Sequence, residues 1–128
     1  MKSRTKLTLA LAAAFGLGGA VVEGLHAQAK SMAIYTVNEI AVNNVDAYLK
    51  EYAPKAQAAI KAHGGQLVAG SQNVKSYEGA KPANRVAIQR WDSAEQYEKY
   101  RNSAEFKENR KTGNKYAKFR AYSVESLN

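Results

Sequence analysis

The order of the periodic segments is the feature that most constrains the fold of this chain. Residues 33–42 (AIYTVNEIAV) are rich in β-branched and aromatic residues, which predicts a strand. Residues 45–63 carry apolar side chains at steps of three and four, which predicts a helix. Four further segments follow in the order strand, strand, helix and strand, at 66–72, 85–91, 93–111 and 115–124. This order predicts an α+β domain of the ferredoxin-like βαββαβ type, with helices on one face of a four-stranded antiparallel sheet.

Local signals mark where the predicted helices bend and end. Pro54 lies inside the first helix and has no backbone N–H, so a kink is expected over residues 50–53. Gly64 and Gly65 supply the left-handed conformation that ends many helices. The second helical region has two N-cap candidates and one stop signal, which are Ser93, Ser103 and Gly113. The second strand is expected at 66–72, with a possible extension through 74–77.

Both faces of the predicted sheet are apolar. The first strand carries Ile34 and Ile40 on one side and Tyr35 and Val37 on the other, so neither side is patterned for water. The helices of so short a chain cover only one of these faces. A second copy of the chain would cover the other without any additional residues. The sequence therefore predicts a homodimer.

The N-terminus has the organisation of a secretory signal peptide. Three basic residues within the first six precede an uncharged apolar run over 7–20, shorter than the roughly 20 residues of a transmembrane helix. The sequence AQA at 27–29 has the form of an A-x-A cleavage site. We expect a signal peptide over 1–29, a single domain over 30–128, no stable membrane span after cleavage, and a periplasmic or secreted location in a bacterium. An uncleaved membrane anchor is the alternative.

Composition removes several classes of function. The 128 residues include no cysteine, which excludes disulfides and thiolate metal sites, and only two histidines. The net charge is +8, and it falls to +6 without residues 1–29 because three basic residues and Glu23 are lost. In an exported chain this excess favours envelope polymers, lipid headgroups or a small anionic molecule over nucleic acid. A solvated lysine-rich surface is the alternative. No cofactor and no metal are predicted.

Two polar residues are candidates for catalysis by proton transfer. Glu39 interrupts an apolar strand, where a carboxylate is expected to find a basic partner. The candidate partners are Arg85, Arg90 and Arg110. Histidine side chains titrate near neutral pH, so His63 is a candidate general base. The alternatives are a structural ion pair for Glu39 and a helix-capping role for His63.

Aromatic residues are concentrated where the predicted helices face the sheet. They are Tyr48, Tyr52, Trp91, Tyr97 and Tyr100. Such side chains stack on flat ligands, and Arg110 offers a charge for an anionic group. Core packing with hydroxyl groups in water is the alternative. The predicted ligand-binding set is Tyr48, Tyr52, Trp91, Tyr100 and Arg110.

Several short motifs carry a resemblance to a known family. They are YLKEY at 48–52, HGG at 63–65, EG at 78–79, RVAI at 85–88, WDS at 91–93, RNSAEF at 101–106 and KYAKFR at 115–120. With LHAQAK at 25–30, this pattern resembles the exported members of the family called domain of unknown function 1330. The resemblance implies the dimeric α+β barrel fold but no reaction. The chain departs from many members at Arg90, where they carry an apolar or acidic residue.

The sequence is compatible with three functions. The first is a homodimeric small-molecule-binding protein. The second is a cofactor-independent oxygenase or isomerase acting on a small aromatic or anionic compound, by analogy with fold relatives such as antibiotic-biosynthesis monooxygenases and muconolactone isomerases. The third is a structural dimer that docks on the cell envelope. Enzymatic activity is therefore undecided, and a base in an enclosed pocket would separate the second function from the first.

Overall fold

A computed structural model describes residues 32–128 of the protein, which form one compact unit from Met32 to Asn128. The predicted signal peptide over 1–29 lies outside the described residues. No helix within the described part of the chain is long and apolar enough to cross a membrane.

Four antiparallel strands form the sheet predicted from the sequence. The strands are β1 (Ile34–Val42), β2 (Gln66–Ser71), β3 (Arg85–Trp91) and β4 (Ala117–Glu125). Their order across the sheet is β2-β3-β1-β4, so β3 and β1 lie at the centre and β2 and β4 form the edges. The α+β fold class and the ferredoxin-like strand order are therefore confirmed.

β2 is shorter than its sequence pattern predicted. It ends at Ser71, and residues 74–77 form no strand. Its pairing with β3 is irregular between Leu67 and Ala69, where the register shifts by one residue. A bulge of this kind bends the strand and ends regular pairing early.

The first helical region departs from regular α-helix next to Pro54, at the residues where the kink was predicted. It consists of α1 (Val45–Ala47), a π-helical turn (Tyr48–Tyr52) and α2 (Ala53–Ala62). Pro54 occupies the first turn of α2, where its missing N–H costs no helical hydrogen bond. The π-helical turn buries both Tyr48 and Tyr52, whose ring centroids lie 5.3 Å apart.

The end of α2 follows the glycine signal. Gly64 has a φ of 89°, and the N–H of Gly65 donates to the carbonyl of Ile60 at 2.8 Å. The left-handed conformation costs glycine little because it has no Cβ. The chain therefore turns sharply from α2 into β2.

Two shorter helices, α3 (Ala94–Arg101) and α4 (Ala104–Gly113), begin at the predicted caps. The hydroxyl of Ser93 accepts from the N–H of Gln96, and the hydroxyl of Ser103 accepts from the N–H of Phe106. The side chain of Gln96 donates to the carbonyl of His63 at 3.0 Å, which connects α3 to the end of α2.

The helices pack on the inner face of the sheet, which carries Ile34, Thr36, Ile40 and Trp91. Buried side chains there form two clusters. The first is Ile34, Ala59, Ile60, Trp91, Tyr100 and Phe106, and the second is Ile40, Tyr48, Tyr52, Ala53, Ala56 and Ala117. The outer face carries Val37, Val86 and Ile88, which are only partly buried within one copy of the chain.

Candidate functional site: a cationic cleft between the sheet and the helices

A cleft opens between the inner face of the sheet and the helices, where the two core clusters meet. The space between its walls measures about 620 Å³, and part of this space is open to solvent. About 60 Å³ of it can hold the centres of water molecules. The lining residues are Asn38, Ile40, Tyr48, Tyr52, Ala53, Ala56, Gln57, Ile60, Leu67, Gly70, Arg85, Ala87, Gln89, Tyr97, Tyr100, Phe106, Arg110 and Phe119. Largely apolar walls with a few polar groups are typical of small-molecule sites.

Two arginines supply the charge of the cleft. Arg85 begins β3, and its guanidinium carbon lies 5.5 Å from the centre of the Tyr48 ring. Arg110 lies on α4, with its guanidinium carbon 3.8 Å from the centre of the Phe119 ring and 4.6 Å from that of Phe106. These cation–π contacts hold the Arg110 side chain in place and partly remove it from water.

The charge of these arginines is not neutralised within the described residues. Among residues 32–128, neither Arg85 nor Arg110 has a carboxylate oxygen within 4.0 Å, and no Asp or Glu lines the cleft. The Nε of Arg110 is buried and makes no hydrogen bond in this part of the chain. Nor do three His, Asp or Glu side chains come together there as a metal site would require. The cleft is therefore suited to an anion.

Two tyrosine hydroxyls of the cleft, those of Tyr48 and Tyr100, stay protonated at neutral pH. Burial raises the pKa of Tyr48, and the neighbouring Tyr52 raises it further, while the charges of Arg85 and Arg110 oppose the shift. Burial raises the pKa of Tyr100 as well, against an opposing effect of Arg110. Neutral phenols can donate hydrogen bonds to an anion but are poor bases.

A row of polar side chains forms the floor of the cleft on the inner face of the sheet. The Nε1 of Trp91 and the Oγ1 of Thr36 both donate to the Oε1 of Gln89, at 3.0 and 3.2 Å. The Nδ2 of Asn38 donates to Thr36 Oγ1 at 3.3 Å and to the carbonyl of Ala87 at 3.2 Å. Asn38 and Gln89 line the cleft, whereas Thr36 lies fully buried behind them.

The cleft contains four of the five residues predicted to bind a ligand. Tyr48, Tyr52, Tyr100 and Arg110 all line it. Trp91 does not, because its side chain is fully buried in the core and its ring is stacked on Tyr100 at 5.0 Å. The indole borders the cleft through Tyr97, Tyr100 and Gln89, and a direct contact of Trp91 with a ligand stays a prediction.

Glu39 lies on the outer face of the sheet, away from the cleft. Its carboxylate accepts from Arg120 at 2.9 Å and from the hydroxyl of Tyr122 at 3.5 Å. None of the three expected partners pairs with it: Arg85 and Arg110 line the cleft on the inner side, and Arg90 pairs with Asp92 at 2.8 Å. The alternation of side chains along β1 therefore separates Glu39 from the cleft and favours its reading as a structural ion pair.

His63 also lies outside the cleft, at the C-cap of α2. Its Nδ1 donates to the carbonyl of Ala59 at 2.8 Å and lies 3.8 Å from the carboxylate of Glu105. The first contact lies at the end of α2, where the Ala59 carbonyl also accepts from the His63 N–H at 3.1 Å, and the second connects this end to α4. This geometry matches the capping alternative for His63.

The sequence-based site set omitted Arg85, Asn38 and Gln89 as ligand contacts. A signal for them was present, because Arg85, Ala87, Gln89 and Trp91 share one parity along β3. The burial of Trp91 assigns that parity to the inner face. Only the pairing of β1 with β3 shows that Asn38 lies opposite Ala87, next to these residues.

Residues 33–127 match the family model described as Domain of unknown function (DUF1330). The chain belongs to the DUF1330 family. The match covers nearly the whole described domain of this DUF1330 protein, in agreement with the motifs identified above. No curated protein matches the chain.

Solved structures similar to this DUF1330 protein have the dimeric α+β barrel fold. The RPA0582 protein of unknown function from Rhodopseudomonas palustris has a TM-score of 0.65 and 16% identity, over 84% of this chain and 92% of its own. SnoaB, a cofactor-independent oxygenase from Streptomyces nogalater, has a TM-score of 0.57 and 12% identity, over 76% and 95%. A conserved protein of unknown function from Bacteroides thetaiotaomicron, described as a possible oxidoreductase, has a TM-score of 0.53 and 16% identity, over 75% of this chain and 99% of its own. At these identities the similarity shows the fold alone.

Proposed function

We propose that this protein is an exported homodimer that binds a small anionic compound in the cleft between the sheet and the helices. The observation that carries the proposal is the presence of Arg85 and Arg110 in a cleft without a carboxylate among residues 32–128. An unpaired, partly buried guanidinium is costly in free energy, and an anionic ligand would relieve that cost with charge-assisted hydrogen bonds.

The size of the cleft restricts the ligand to about one ring. One bound water needs at least about 10 to 15 Å³ of the space that can hold water centres. The 60 Å³ of the cleft therefore holds only a few water molecules. The walls contributed by Tyr52, Phe106 and Tyr100 offer aromatic faces for stacking. A monocyclic aromatic carboxylate satisfies the size, the charge and the walls together.

Binding is favoured over catalysis by proton abstraction because no suitable base lines the cleft among residues 32–128. Its titratable residues are arginines and tyrosines, and the pKa values of Tyr48 and Tyr100 are raised. The two candidate bases, Glu39 and His63, lie elsewhere. The similarity to SnoaB, named as a cofactor-independent oxygenase, keeps oxygen consumption as the activity to measure beside binding.

The homodimer is supported by the outer face of the sheet. Tyr122 and Val124 on β4 are 48% and 58% exposed, next to the partly buried Val37 and Ile88. The helices lie on the opposite face and do not cover these side chains. A second copy placed sheet to sheet would bury them, as in the dimeric relatives of this fold.

Export is supported by the sequence of residues 1–29 alone, with its basic start, apolar run and AQA site. An exported binding protein of this kind meets small anions outside the cytoplasm. Docking on the envelope is the competing role, and it would use the basic surface rather than the cleft.

The experiment that tests binding is calorimetric titration of the purified protein with benzoate, together with oxygen-electrode measurements. We expect binding, with Arg110→Ala and Arg85→Ala each weakening it by about 10- to 100-fold, the range of a lost charge-assisted hydrogen bond. Lys111→Ala is the matched control because it removes the same charge from the next residue of α4, where the side chain is 76% exposed. Equal losses of benzoate affinity in Arg110→Ala and Lys111→Ala would show that the overall charge of the protein causes the effect. That result would contradict an anion site in the cleft.

A further inference from the structure

We propose that the floor of the cleft recognises a hydroxyl group, so that the ligand class is a small hydroxyaryl carboxylate. The inference rests on the proposed binding of an anion in the cleft and adds the second functional group of the ligand. It follows from the hydrogen bonds that fix the orientation of the Gln89 and Asn38 amides.

The orientation of Gln89 is fixed by a group that can only donate. The indole Nε1 of Trp91 has one N–H and no acceptor, so the atom that it contacts at 3.0 Å must be the carbonyl oxygen of Gln89. The Oγ1 of Thr36 donates to the same oxygen at 3.2 Å. Both acceptor positions of Oε1 are therefore occupied, and Nε2 retains two N–H groups.

The orientation of Asn38 is fixed by a group that can only accept. The main-chain carbonyl of Ala87 lies 3.2 Å from Nδ2 of Asn38, and Thr36 Oγ1 lies 3.3 Å from the same nitrogen. Both N–H groups of this amide are therefore occupied, and Oδ1 retains its lone pairs.

The two free groups are complementary in hydrogen bonding, one a donor and the other an acceptor. Within residues 32–128 neither Gln89 Nε2 nor Asn38 Oδ1 makes a hydrogen bond, and both residues line the cleft. The two amides share Thr36 Oγ1 as a common neighbour. A hydroxyl group both donates and accepts through one oxygen, so it can pair with Oδ1 and Nε2 at once. A group that only accepts would cover Oδ1 without pairing with it, which costs binding free energy.

The charge of Arg85 and the amide of Gln89 on the floor of the cleft are separated along β3. Arg85 and Gln89 lie four residues apart on the same strand, a distance of about 13 Å along the backbone at the usual rise per residue. Ala87 lies between them and contributes only a methyl group, which leaves room above it. One ring with a carboxylate at one end and a hydroxyl at the other matches this arrangement.

The test compares benzoate, 3-hydroxybenzoate, 4-hydroxybenzoate and the two corresponding fluorobenzoates by calorimetric titration of the purified protein. We expect one hydroxybenzoate to bind about tenfold tighter than benzoate and than its fluoro analogue, because fluorine fills similar space without donating. Asn38→Leu should abolish this preference while benzoate still binds. Gln66→Leu, which removes an exposed amide that does not line the cleft, should preserve it.

The outcomes separate this inference from the proposed function. Benzoate and the hydroxybenzoates binding with equal affinity would overturn the hydroxyl recognition and leave the anion site standing. The same holds if a fluorobenzoate matches its hydroxy analogue, a result that needs only the wild-type protein and no folded variant. If none of these carboxylates binds, the proposed function itself fails and the inference fails with it.

Discussion

Gly113 at the end of α4 lies directly against the ring of Tyr52. A Cβ atom built at Gly113 would come within 2.7 Å of Cε1 and 2.8 Å of Cδ1 of that ring. The absence of a side chain at this position therefore sets how closely α4 approaches the π-helical turn, and it fixes the wall that Tyr52 contributes to the cleft.

Gly113→Ala should lower the free energy of unfolding by about 1 to 3 kcal/mol, the usual cost of overpacking a close contact. It should also weaken benzoate binding, because the displaced Tyr52 ring enters the cleft. Urea unfolding and calorimetric titration measure the two effects. Gly70→Ala is the control, since a Cβ there meets its nearest neighbours at 3.8 Å and fits without strain. Similar losses in both variants would contradict the importance of the Gly113 contact.

The stability of the protein should fall as the pH rises above about 10. Burial raises the pKa of Tyr48 and Tyr100 above the ordinary value of 10.0, so above that pH the folded state binds more protons than the unfolded state. The stabilisation is complete below pH 10 and is lost as the pH rises toward the folded values. Tyr100→Phe should reduce the steepness of this loss by up to about 1.4 kcal/mol per pH unit.

Urea unfolding at pH 8, 10 and 11 measures this dependence. Tyr77→Phe is the control, because Tyr77 is 87% exposed and its removal should leave the pH dependence unchanged. An identical slope for wild type and Tyr100→Phe would show that the Tyr100 phenol is not protected by folding.

The outer face of the sheet should hold two copies together. Light scattering at micromolar concentration is expected to give twice the mass of one chain. Ile88→Asp should give a folded monomer, because Ile88 lies opposite Val37 at the centre of that face and a carboxylate there cannot be buried without a partner. Leu49→Asp, at a 41% exposed position of the π-helical turn, should leave the dimer intact. A wild-type monomer at this concentration would refute the sheet-to-sheet arrangement.

His63→Ala should lower the free energy of unfolding by about 0.5 to 1 kcal/mol, the size of a lost charge or cap at a helix end. Benzoate affinity should change much less than stability, because His63 does not line the cleft and approaches it only through its ring contact with Tyr100 at 5.4 Å. Thermal unfolding and calorimetric titration give the two values. Loss of an oxygen-consuming activity with unchanged stability would instead restore His63 as a base.

Export should be visible at the N-terminus of the protein recovered from cells. A fusion of residues 1–35 to a reporter active only outside the cytoplasm is expected to give a signal. The first residue of the released chain should lie between Gln28 and Lys30, after a cut at the AQA site. An intact Met1 in the recovered protein would contradict cleavage and indicate an anchored chain.

Local chemistry determined the elements of the fold. The β-branched run before Asn43, the hydroxyls of Ser93 and Ser103, and Pro54 within the first helical region each act over a few residues. The strands, the caps and the bend could therefore be predicted with nearly correct bounds. β2 was the exception, because its bulge and early end depend on the pairing with β3, which is a contact between strands.

Only part of the candidate site could be predicted from the sequence. The aromatic residues and Arg110 could be found because large side chains on the sheet-facing side of a helix repeat at helical spacing. The addition of Asn38 required the register of β1 against β3, and the depth of Trp91 behind the cleft required the packing of the helices on the sheet. A shift of one residue in that register would turn every side chain of a strand to the opposite face. Which polar groups share a cleft is thus decided by long-range pairing and burial, whereas the sequence determined the order, the caps and the overall charge of the segments that pair.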